Sequence, residues 1–202
     1  MVAITNGKHL QALSNQSKSL TDEQTSPERL LEVANYVLRQ GVGLVDDSLS
    51  SDEQLSVTSQ YMPGSTIGKH LRHARDHFVL LLQSVSSEGA TVLNYDVRLR
   101  NTPMETSRIA AREALLETMA ELEKVVPTMN MEESVTLQAI TPYPQLMQTT
   151  FGRELWFAAL HAIHHWSMVR VIAGELGIKL EDSFGFAPST LVHKAQNEQT
   201  SS

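Results

Sequence analysis

The stretch Leu155-Trp156-Phe157-Ala158-Ala159-Leu160-His161-Ala162-Ile163-His164-His165-Trp166-Ser167-Met168-Val169-Arg170-Val171-Ile172-Ala173 decides the fold of this chain. It is apolar nearly all round, as a helix at the centre of a bundle must be. With its flanks it predicts a helix from about Phe151 to Leu176, stopped by Gly177. Three imidazoles interrupt it, at His161, His164 and His165. An unpaired polar group in a core costs about 1–3 kcal/mol, so each buried ring needs a hydrogen-bond partner or a metal. His70, His73 and His77 form a second group near the front of another apolar helix, so six of the eight histidines lie in two short windows. Two helices that present imidazoles inward point to one shared metal site.

Outward from that segment, three more helices can be read. The first starts at Ser26-Pro27-Glu28, a good N-cap followed by proline in the first turn, and Gly41-Val42-Gly43 weakens or ends it. The second follows Met62-Pro63-Gly64-Ser65-Thr66 and runs through Ile67, Leu71 and Phe78 to Leu82. The third opens at Thr102-Pro103-Met104-Glu105, the pattern of a capping box, and continues to about Val126, before Pro127.

Two connections are long. Ser84 to Asn101 contains Val92-Leu93-Asn94-Tyr95-Asp96-Val97-Arg98-Leu99-Arg100, whose alternation predicts an extended, half-buried segment. Ser134 to Thr150 holds two alternating runs around Thr141-Pro142-Tyr143-Pro144 and reads as a small β-hairpin. The expected architecture is therefore all-α: a four-helix bundle with long crossover connections and a small β-hairpin before the last helix. Residues 1–25, rich in Ser, Thr, Gln and Asn, are expected to be disordered. Residues 193–202 are expected to be a flexible tail, leaving one domain over 26–192.

Composition narrows the function. The chain has 202 residues and is 41% hydrophobic, enough for one domain with a sizeable core. Its net charge of −7, with no cluster of Lys and Arg, argues against a nucleic-acid or anionic-membrane surface. There is no cysteine, so disulfides, thiolate ligands and a cysteine nucleophile are excluded. Any metal must be held by nitrogen and oxygen. The N-terminus lacks the apolar core of a signal peptide, and no apolar run reaches the ~18 residues of a membrane span, so a cytoplasmic protein is expected.

On a helix that turns about 100° per residue, His161 and His165 lie one turn apart on one face and can reach a single ion. His164 points away. His73 and His77 repeat the spacing on the second helix, with His70 close to the line of His77. One imidazole from that helix would complete a three-histidine set, and three protein ligands plus an open position mark catalytic sites. The bland alternative is a hydrogen-bonded core network without metal. Ala162 follows His161, so the helix lacks the glutamate of a zinc-protease motif, and the Glu-x-x-His pairs of di-iron bundles are also missing.

Ser65-Thr66-Ile67-Gly68-Lys69-His70-Leu71-Arg72-His73 resembles the second-helix motif of the DinB/YfiT-like superfamily, and His161-x-x-His164-His165 resembles its last-helix motif. Tyr95 to Arg100 and Phe184-Gly185-Phe186-Ala187-Pro188-Ser189-Thr190 resemble an uncharacterised branch of it. The resemblance covers about residues 26–192. It implies a four-helix bundle holding a divalent ion, zinc or nickel with iron or manganese as alternatives. The ligands it implies are His73, five residues after Gly68, then His161 and His165; His70 and His77 are alternatives for the first. It further implies transfer of a low-molecular-weight thiol, or hydrolysis, acting on a small-molecule substrate, and pairing into a homodimer. The iron domains of sulfoxide synthases, also similar, continue to a glutamate where this chain has Ser167, which argues against that chemistry.

Three further residues are candidates. Glu154 lies two turns before His161 on the same face. It is read as the catalytic acid or base, either behind a metal-bound imidazole or against a bound water, with an ion pair to Arg153 as the plainer alternative. Arg98 and Arg100, on one side of the extended segment with Asp96, are read as substrate-binding because guanidinium matches carboxylate; a loop ion-pair network is the alternative. The expected function is a metal-dependent thiol transferase or hydrolase. Its competitor is a non-catalytic, metal-stabilised binding or dimerisation module.

Overall fold

The computed structural model describes residues 26–86, 92–190 and His193. The expected disorder of residues 1–25 falls outside the described residues, as does nearly all of the tail. Helices α1 (Pro27–Gly43), α2 (Ile67–Ser86), α3 (Arg108–Val125) and α4 (Phe151–Glu175) form a four-helix bundle, within a compact unit that ends at Gly185. The described residues 186–190 and His193 belong to a second unit.

Helix α1 starts as expected, with Ser26 Oγ accepting from Arg29 N at 3.4 Å. Its α-helical part ends at Gly43, within the expected Gly41–Gly43 region, and passes directly into a wider π turn, Leu44–Ser48. Gly41 is a packing position: a Cβ there would sit 3.1 Å from Leu115 and from the Trp166 ring. The glycine lets α1 approach its neighbours rather than breaking it.

The third helix also starts later than the capping box suggests. Thr102 and Glu105 cap only a short 3-10 turn, Pro103–Glu105, and α3 begins after Ser107, whose Oγ accepts from Ala110 N. Glu105 has a second task, since its carboxylate accepts from Arg72 Nε of α2 at 3.2 Å with both side chains buried. Gly68 of α2 faces this turn, where a Cβ would collide with the Glu105 carbonyl. The turn is therefore clamped to α2, and the chain has to leave it before α3 can start.

The hairpin is present as expected. Strands β2 (Ser134–Ala139) and β3 (Gln145–Thr150) pair antiparallel, with Thr136 opposite Gln148. The segment before α3 is less extended than its alternation suggests: only Val92–Leu93 form a strand, β1, parallel to β2. Asn94 Oδ1 accepts from Asp96 N at 2.8 Å, and this side-chain turn diverts the chain. Asp96 then accepts from Ile140 N (2.7 Å) and Thr141 Oγ1 (2.6 Å) at the hairpin tip.

Strand β3 runs straight into α4, whose first turn is capped by Thr150 Oγ1, the acceptor for Arg153 N at 3.3 Å. Its end is a Schellman closure: Gly177 takes φ +68°, Ile178 N donates to Ala173 O (2.8 Å) and Gly177 N to Gly174 O (3.1 Å). Trp166, fully buried in α4, donates Nε1–H to Val37 O of α1 at 2.8 Å, so the largest core side chain also has its polar atom satisfied. Among the described residues no helix is long and apolar enough to cross a membrane.

Candidate metal centre

Helices α2 and α4 pack face to face and bring both histidine groups together. One ring nitrogen from each of His73, His161 and His165 lies within 4.8 Å of the other two. The i, i+4 pair converges most closely, with His161 Nε2 and His165 Nε2 3.0 Å apart. Tetrahedral ligands at about 2.0–2.1 Å from a zinc ion lie roughly 3.3 Å from one another, so small side-chain movements suffice for all three to hold one cation. Burial keeps the rings in the neutral form that ligation needs. It lowers His161 to about 4, helped by His77, His164 and Arg98, and lowers His73 to about 3, helped by His77, Arg98, His161 and Arg72. His165 is lowered further, again chiefly by burial and then by its imidazole neighbours. The donor set is three neutral imidazoles, which suits zinc, nickel or iron.

The remaining histidines take other places. His70 Nδ1 lies 2.7 Å from His165 Nδ1, on the far side of that ring from His161. His77 Nδ1 lies 3.1 Å from its own helix carbonyl, His73 O. The His77 ring packs against the His161 ring, with centroids 3.8 Å apart and planes 31° from parallel, and stands edge-on to the His73 ring. His164 is exposed. Ser167, where a glutamate would have suggested iron chemistry, instead donates its hydroxyl to Ile163 O or Gly185 O, both 3.1 Å away.

Glu154 is buried, not solvated. Its Oε2 accepts from Tyr95 OH at 2.9 Å, its Oε1 accepts from Thr149 Oγ1 at 2.8 Å, and Arg153 lies 3.6 Å away. Among the described residues neither oxygen bonds an imidazole. The link to the histidines runs through Tyr95, whose ring stacks on His77 at 4.5 Å. Burial and then Glu154 push the Tyr95 hydroxyl well above the usual phenol range, so it stays a donor. Sequence reasoning missed Tyr95 as part of this assembly, because nothing local distinguishes it from other aromatics in an alternating segment.

A cleft of about 600 Å³ opens beside the centre, lined in part by His70, His73, His165, Lys69, Arg98 and Arg100. Arg98 and Arg100 are exposed and form no salt bridge among the described residues. Asp96 spends its carboxylate on Thr141 and the hairpin backbone; among the described residues it makes no salt bridge with Arg98 or Arg100, though Arg98 adds to those hydrogen bonds in holding it below the usual carboxylate range. Arg72 is the contrast: it is buried and neutralised by Asp76 (2.9 Å) and Glu105 (3.2 Å), so it holds the wall and not a ligand.

The DinB superfamily model matches residues 18–169. FK506-binding protein 5 from Rhizopus delemar is 36% identical over 166 residues, covering 81% of this chain and 37% of that protein. The chain thus spans little more than a third of the length of this curated relative. Among solved structures, the fold is similar to YfiT from Bacillus subtilis, described as a probable metal-dependent hydrolase with an unusual four-helix bundle topology. That likeness has a TM-score of 0.55 and 13% identity, covering 80% of this chain and 94% of that one. At that identity it speaks to the fold.

Proposed function

Because this chain belongs to the DinB superfamily, we propose that it is a metal-dependent enzyme that directs a low-molecular-weight thiol or a water at an electrophilic small molecule. The observation that carries this reading is the convergence of three imidazole nitrogens within 4.8 Å beside a cationic cleft. His73, His161 and His165 hold the cation, zinc or nickel. A divalent ion there supplies Lewis acidity and lowers the pKa of a thiol or water at its open position. The chain has no cysteine, so the sulfur arrives with a cosubstrate. Arg98 and Arg100 orient an anionic group of that cosubstrate or of the electrophile at the cleft mouth. Glu154 acts through Tyr95 and His77, holding the wall against which His161 rests.

Metal analysis of protein purified without a histidine tag tests this. Stoichiometric metal in the wild type that is lost in His161→Ala supports the site. No metal after reconstitution with zinc, nickel, manganese and iron sinks it. If metal is held, adding glutathione and following the coordination shell tests the thiol; an unchanged shell counts against it.

A second reading, a non-catalytic metal-stabilised module, is favoured by the exposed apolar residues Trp156, Leu160 and Val171 along α4. It expects a closed coordination shell and self-association that Leu160→Lys would abolish. An exchangeable position on the metal and a monomer in solution would reject it.

A further inference from the structure

His70 and His165 face each other with their Nδ1 atoms 2.7 Å apart. Two ring nitrogens at that distance share one proton, because two lone pairs repel and two N–H groups collide. On the opposite edge of the same ring, His165 Nε2 lies 3.0 Å from His161 Nε2. The rings of His70, His165 and His161 therefore form a line with one proton in each gap. Each neutral imidazole carries a single N–H, so two orders are open to the line. In one, His165 donates from Nε2 to His161 and receives from His70. In the other, it donates from Nδ1 to His70 and receives from His161.

A cation shared by His161 and His165 needs both Nε2 lone pairs, and only the second order frees His165 Nε2 without moving its proton. We propose that His70 is the positioning residue of this centre, accepting the Nδ1–H of His165 and so holding that ring in the tautomer and orientation that present Nε2 to the cation. The inference rests on reading His73, His161 and His165 as the metal site. Two further observations support it. The bond to His165 is the one side-chain hydrogen bond His70 makes among the described residues, so no other polar contact explains its placement. His70 also lies one turn before His73 on α2. One short stretch of helix thus supplies a ligand and the acceptor that orients another ligand on α4.

The test uses zinc as the probe and the full chain. Nitrogen-15 NMR of the zinc-loaded wild type should find His165 protonated at Nδ1 and His70 unprotonated at Nδ1. His70→Phe should weaken zinc binding by about 10- to 100-fold in competition with a chromogenic chelator. His70→Gln, whose amide oxygen can accept the same N–H, should recover most of that loss, a rescue that a purely structural role does not predict. A zinc-loaded protein with His165 protonated at Nε2 overturns the proposal, as does a folded His70→Phe that binds zinc like the wild type. If the wild type binds zinc, His161→Ala loses it and His70→Phe keeps it, the centre stands and the role of His70 alone falls. If the folded wild type binds no zinc, the centre itself falls and His70 with it.

Discussion

Tyr95 lies nearly flat on His77, with ring planes 17° from parallel, while its hydroxyl donates to the buried carboxylate of Glu154. The two contacts separate by mutation. Tyr95→Phe keeps the stack and removes a donor from a buried carboxylate, so it should cost about 1–3 kcal/mol of unfolding free energy and leave zinc affinity within a few-fold of wild type. Tyr95→Ala removes the stack as well, freeing His77 to move against His161, and should weaken zinc binding further. Urea denaturation and chelator competition read the two effects. Equal zinc affinity in both variants would show that the stack does not reach the centre.

A cation that binds only the folded chain must stabilise it. Zinc at 100 times its dissociation constant should add about 2.7 kcal/mol by mass action, visible as a rise in Tm with zinc concentration. His165→Ala, which removes the ring that faces both His161 and His70, should abolish that rise. A Tm that climbs equally in the variant would place the zinc elsewhere on the protein.

Much of this was legible in the chain. The apolar run 155–173, the start marked by Pro27 and the alternating runs around Thr141-Pro142 lead to helices and a hairpin that the structure contains, whereas Pro103 opens only a 3-10 turn. Periodicity could say that His161 and His165 share a face, because that follows from helix geometry alone. It could not rank His70, His73 and His77, because their roles depend on how α2 is rotated against α4. Nor could it see that Glu105 caps a turn and pairs with Arg72 at once, or that Gly41 is a contact and not a break. Each of those facts joins residues far apart in sequence.

Gly68 is a close-approach position with a measurable consequence. A methyl group there meets the Glu105 carbonyl, so the turn Pro103–Glu105 and α2 must separate. Gly68→Ala should destabilise by about 1–3 kcal/mol, as overpacking in a core does, and should weaken zinc binding because α2 carries His70 and His73. Gly174, late in α4, has nothing within 4 Å of an added Cβ, and Gly174→Ala should stabilise by about 0.4–1 kcal/mol. Thermal melts of the two variants decide it, and a neutral Gly68→Ala would show that the turn can retreat freely.

Acid should unfold the metal-free protein earlier than its carboxylates alone require. Burial holds His70, His77 and His161 at about 4 and His73 at about 3, against an ordinary value of 6.5. Above pH 6.5 these rings are neutral in both the folded and the unfolded chain and contribute no slope. Between 6.5 and about 4 the unfolded chain takes up protons that the folded chain refuses, so stability falls as pH falls. Below about 4 the folded His70, His77 and His161 rings protonate too, His73 follows at about 3, and the slope flattens. Zinc competes with those protons for the same nitrogens, so the loaded protein should hold its stability to lower pH than the metal-free protein. Denaturation midpoints taken from pH 7.5 to 4, with and without zinc, check both statements. His161→Ala should soften the metal-free slope and remove the zinc dependence together, since one ring supplies part of each. A slope unchanged by that substitution would mean that the acid sensitivity resides in other groups.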